Sequence, residues 1–115
     1  MKVAQWIKEL QLNHLLLNGN FGLEKENIRT ALTGEIALTT HPKVFGDKAT
    51  HPYITTDFAE AQVEMVTPIF PTTQAVLKFM EALHDLVSLE LSDEILWPYS
   101  LPPKLPSDDS LIKAA

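Results

Sequence analysis

The chain has 115 residues, with 15 acidic against 9 basic side chains and a formal net charge of −6, so it lacks the basic footprint that a phosphate backbone requires, and nucleic acid is a poor partner. No run approaches the ~18 apolar residues of a membrane span. Met1 to Leu17 carries Lys8, Glu9 and His14 where a signal peptide needs an unbroken apolar stretch, so a cytoplasmic protein with no membrane partner is expected. With 45% hydrophobic residues and no cysteine, the composition fits one small globular domain or part of a larger one, without disulfides, thiolate zinc sites or a cysteine nucleophile.

In chain order, Val3, Trp6, Ile7 and Leu10 recur at helical spacing and Asn18-Gly19-Asn20 supplies a stop, which predicts a first helix. Residues 21–30 read as a strand, and Ala31-Leu32-Thr33-Gly34 offers a turn into a second strand, Glu35 to Thr39, completing a hairpin. His41 to Pro52, rich in Pro, Gly, Asp, Lys and Thr, reads as a loop; Thr-His-Pro occurs at 40–42 and again at 50–52. Residues 61–67 alternate, with Val63, Met65 and Thr67 on one face and Gln62, Glu64 and Val66 on the other. Beyond Pro68 and Pro71, the positions Val76, Phe79, Met80, Leu83, Leu86 and Val87 form an apolar stripe on a helix of about twenty residues, with Thr72 or Thr73 as its N-cap. A short apolar stretch, Ile95-Leu96-Trp97, leads into Pro98, Pro102, Pro103 and Pro106, and Ser107 to Ala115 shows no evident structure of its own.

Chemistry concentrates in the acids. In an extended strand Glu24 and Glu26 project to one face, roughly 6.5 to 7 Å apart, while Phe21, Leu23 and Lys25 point the other way. Like charges so placed repel unless a cation or water separates them. Taken singly, a Glu-x-Glu pair is more commonly a solvated sheet face than a metal site, and the same holds for Asp57 or Glu64 alone. The histidines at 14, 41, 51 and 84 are scattered, and the two His-Pro pairs read as turn initiators. Trp97, Phe79 and Met80 suit core or interface packing, and Lys25 and Arg29 offset local negative charge. Were the two acidic segments neighbours in one sheet, Glu24, Glu26, Asp57 and Glu64 would converge, and oxygen ligands without Cys or His select a hard cation such as Mg²⁺ or Mn²⁺.

Three ordered blocks give the chain a family resemblance: Gly22-Leu23-Glu24-Lys25-Glu26-Asn27-Ile28-Arg29; His51-Pro52-Tyr53-Ile54-Thr55-Thr56-Asp57-Phe58-Ala59-Glu60 running into Glu64-Met65-Val66-Thr67-Pro68; and Leu96-Trp97-Pro98-Tyr99-Ser100-Leu101-Pro102. With these the sequence resembles the bacterial-type glutamate-cysteine ligases, including the N-terminal half of the bifunctional glutathione synthases. The resemblance covers nearly the whole chain, with no departure at the motif positions. It implies that residues 1–106 are the N-terminal part of a ligase catalytic domain and that 107–115 are a tail, a truncated continuation.

By that resemblance Glu24, Glu26, Asp57 and Glu64 fall on the carboxylates that bind the magnesium (or manganese) ions holding ATP, and Phe58 lies beside the cysteine pocket. The implied partners are ATP, glutamate and cysteine. The reaction begins when the γ-carboxylate of glutamate attacks the γ-phosphate of ATP. In the family's second step the amine of cysteine displaces phosphate from the resulting acyl phosphate to give γ-glutamylcysteine. The implied fold is α+β, a mainly antiparallel curved sheet with flanking helices, part of a glutamine synthetase-like fold. The isolated segment is expected to be inactive and to form a homo-oligomer. Two alternatives stay open: a non-catalytic interaction module in which the acidic motifs are unused, and another carboxylate-amine ligase of the same superfamily with a different amine.

Overall fold

The computed structural model describes residues 2–16 and 18–115; Met1 and Leu17, the limits of the segment weighed as a signal peptide, lie outside the described residues. Four strands, β1 (Glu24–Ala31), β2 (Ile54–Thr55), β3 (Gln62–Val66) and β4 (Glu94–Leu96), form one antiparallel sheet in the order β2-β3-β1-β4. Two helices, α1 (Lys2–Glu9) and α2 (Thr73–Glu90), complete an α+β architecture of the kind expected.

Period-two alternation decides which face of the sheet is covered. Val63 and Met65 of β3 are fully buried, whereas their neighbours Gln62, Glu64 and Val66 are only half-buried. α2 lies across the Val63–Met65 face. The Thr72 side chain accepts the Ala75 N–H at 3.2 Å and caps the helix start, so the expected N-cap is found there and Thr73 opens the helix. Val76, Met80, Leu83 and Val87 are buried at spacings of four and three, while Leu86 is 48% exposed and drops out of the predicted stripe. Met80, Leu83 and Val87 join Phe45, Ile54, Val63, Met65 and Leu91 in the main core, edged by Leu23, Tyr53, Phe79 and Leu96.

The first helix forms where predicted, but none of its residues is buried. Val3, Trp6 and Leu10 are all more than half exposed, so its apolar spacing is not used for packing among the described residues. The expected second strand of the hairpin is reduced to bridges. Gly34 turns the chain at φ 85, Ala31 N donates to Glu35 O at 2.8 Å, and Thr30 pairs with Ile36. Past Ala37 the backbone leaves the sheet because the carbonyls of Thr39 and Thr40 turn to the buried Arg29 guanidinium, which removes them from any ladder. The short edge strands β2 and β4 carry too few residues to show an alternating pattern. Residues 107–115 include a 3₁₀ turn at Asp109–Leu111 and lie against the loop before β3: Glu60 N donates to Lys113 O, Ala115 N to Phe58 O, and Ile112 packs on Ile36, Ala37 and Ala61.

Candidate functional site

The register of β1 against β3 assembles the acids. Glu26 lies directly opposite Glu64, Glu24 opposite Val66 and Ile28 opposite Gln62. Arg29 N donates to Ala61 O on the β3 side, whereas Ile28 O accepts Trp97 N on the β4 side. Even-numbered residues of β1 therefore turn their backbone groups away from β3, which makes Glu26–Glu64 a non-hydrogen-bonded pair, the kind whose side chains stand closest. Two carboxylates facing each other there, with Glu24 two residues along the same face, are mutually destabilising in the absence of a counter-charge. Glu64 registers this: partial burial first, then the charges of Glu24, Glu26 and Asp57, push its carboxyl above the ordinary range. Glu24, Glu26 and Glu64 thus stand on the sheet face that α2 leaves open, and Asp57 adds its charge at Glu64.

Asp57 reaches this neighbourhood from the loop between β2 and β3, and Arg29 holds that loop. Arg29 is completely buried. It donates to Glu60 O at 2.7 Å, Thr39 O at 3.0 Å and Thr40 O at 3.1 Å, and it forms an ion pair with Glu94. The Glu60 carboxylate in turn receives Lys48 and the His41 N–H, and these two hydrogen bonds hold it below the usual range. Arg29 therefore ties two loop segments, at Thr39–Thr40 and at Glu60, together with the start of β4 to strand β1, a larger role than the charge offset read from the sequence.

A donor set of carboxylate oxygens without thiolate or imidazole suits a hard divalent cation. Among the described residues no group of three or more His, Asp or Glu side chains closes into a ligand cage. Glu24, Glu26 and Glu64 share a sheet face, and the charge of Asp57 is felt at Glu64. The histidines go elsewhere. His51 Nδ1 accepts the N–H groups of Tyr53 and Ile54, so this His-Pro pair shapes a turn as expected. His84 Nδ1 lies 2.8 Å from Lys25 Nζ on the covered face. His41 is buried against Phe45, and burial, with Arg29 second, lowers its pKa.

Phe58 is 83% exposed beside Asp57. Two features escaped the sequence. Gln62 Nε2 donates to Glu26 Oε2 at 2.7 Å across the strand pair. The Trp97 to Pro103 segment walls a cavity of about 340 Å³ with Glu26 and Gln62 on its lining, and Trp97 is locked there by its Nε1 bond to Leu101 O at 2.7 Å. Alternation already placed Gln62 on the face of Glu64, but only the register shows that it reaches Glu26.

A family model described as glutamate-cysteine ligase matches residues 4–115. The glutathione biosynthesis bifunctional protein of Desulfotalea psychrophila is 54% identical over 100 residues, which are 87% of this chain and 13% of that protein. The crystal structure of a bifunctional glutathione synthetase from Pasteurella multocida superposes with a TM-score of 0.87 at 40% identity, covering 96% of this chain and 15% of the other. A glutamate-cysteine ligase from Francisella tularensis, crystallised in complex with AMP, gives a TM-score of 0.72 at 30% identity over 85% of this chain and 20% of the other. The chain spans between about an eighth and a fifth of the length of these relatives.

Proposed function

The chain belongs to the glutamate-cysteine ligase family, and on that footing we propose that it supplies the carboxylate face on which a ligase of glutathione biosynthesis holds the divalent cations of its ATP. The observation that carries this reading is the direct opposition of Glu26 and Glu64, with the charges of Glu24 and Asp57 felt at the same point. Glu24, Glu26, Asp57 and Glu64 would hold Mg²⁺ or Mn²⁺, which would supply the positive charge that offsets the negative charge developing in phosphoryl transfer. Glu24, Glu26, Asp57 and Glu64 act as ligands, and none is placed as a general base or nucleophile. Phe58, standing free beside Asp57, is assigned to the wall of the cysteine pocket. The substrates are glutamate, whose γ-carboxylate is activated by phosphoryl transfer from ATP, and cysteine, whose amine completes the amide.

In the full-length ligase Glu26→Gln keeps the side-chain shape and removes one negative ligand, so calorimetric titration with Mg²⁺-ATP should show weakened binding with the fold intact. Unchanged affinity would remove Glu26 from the cation site.

A further inference from the structure

Gln62, opposite Ile28 and two residues along β3 from Glu64, occupies the position diagonal to Glu26 across the β1–β3 pair. Its amide donates to one oxygen of Glu26 at 2.7 Å. Without that bond, Glu26 would be driven away from Glu64 by the repulsion of directly opposed carboxylates. A lysine or arginine at this place would restrain Glu26 equally well but would cancel charge that a divalent cation needs. An amide restrains it and leaves the negative charge of the face intact. Gln62 is half-buried and, with Glu26, borders the cavity walled by Trp97 and Pro102, so its own geometry is limited there.

We propose that Gln62 is the positioning residue of this site, its amide fixing one oxygen of Glu26 and leaving the second to a cation shared with Glu64. This rests on the cation reading above. A neutral neighbour that orients a ligating carboxylate typically contributes about 10- to 100-fold in metal affinity.

The test is a titration of the isotopically labelled 115-residue chain with millimolar Mn²⁺ alone, read by NMR as paramagnetic broadening of the backbone amides of residues 24–26 and 64. Gln62→Met keeps length and removes the donor. The expected result is broadening in the unsubstituted chain, a fall of about tenfold or more in apparent Mn²⁺ affinity in Gln62→Met, and an unchanged denaturant midpoint. Equal affinity in the two proteins overturns the role of Gln62 and leaves the cation site standing. No broadening in the unsubstituted chain overturns the cation site and the proposal with it. Should Gln62→Met lose its dispersed amide spectrum, Gln62→Asn, an amide one methylene too short to reach Glu26, takes its place with the same three outcomes.

Discussion

At the scale of single residues the molecule contrasts a charge that is fully answered with one that is not. Arg29 is buried and surrounded by acceptors, so Arg29→Met should cost about 3 to 5 kcal/mol in a denaturant melt, because Glu94 then stays partly buried without its partner and three carbonyls lose a donor. Glu64 is the opposite case. Its folded-state pKa lies above the unfolded value, so its stabilising contribution is complete below the ordinary glutamate value of 4.5 and is lost as pH rises through the folded value. Glu64→Gln should therefore match the unsubstituted chain near the acid end and become the more stable of the two towards neutral pH. Melts across that range test this, and a difference that does not grow with pH would show that Glu64 is not burdened by its neighbours. Glu60, held low by Lys48 and His41, has the reverse sign and is common to both proteins, so it cancels in the comparison.

At the scale of elements, α2 makes a sharp distinction between neighbouring leucines. Leu83 is 8% exposed within the core and Leu86 is 48% exposed on the flank. Leu83→Ala should cost about 2 to 5 kcal/mol. Leu86→Ala should stay within about 0.5 kcal/mol, as substitutions outside the packed interior generally do. Denaturant midpoints of the pair check both figures, and equal shifts would mean that the apolar stripe is wider than the packing shows. The prediction of α2 itself was secure because eighteen residues give periodicity room to repeat and Thr72 gives a cap. β2, with two residues, offers no such repetition.

At the scale of the whole molecule, one face of the sheet carries the acids while α1 presents Val3 and Trp6 to solvent, and the short strands β2 and β4 bound the sheet. Unpaired strand edges and an uncovered apolar helix face both favour association, and a two-fold dimer is the commonest closed solution. Light scattering over a range of concentrations should show a mass above the 12.9 kDa of one chain. A single mass of 12.9 kDa at high micromolar concentration would show that these surfaces are tolerated in water.

What the sequence determined by itself was local. Alternation in β3 set Glu64 apart from Val63 and Met65, the period of α2 included its four buried positions along with half-buried Phe79 and exposed Leu86, and the strand parity of Glu24 and Glu26 put them on one face. These follow from the geometry of a strand or a helix, which any short segment carries within itself. That Glu26 meets Glu64 rather than Gln62, that Gln62 bonds to Glu26 diagonally, and that Arg29 gathers Thr39, Thr40, Glu60 and Glu94 were decided by tertiary structure alone. Each depends on register or on burial between segments about ten to sixty-five residues apart, and a shift of one residue between β1 and β3 would have turned the same acids to opposite faces.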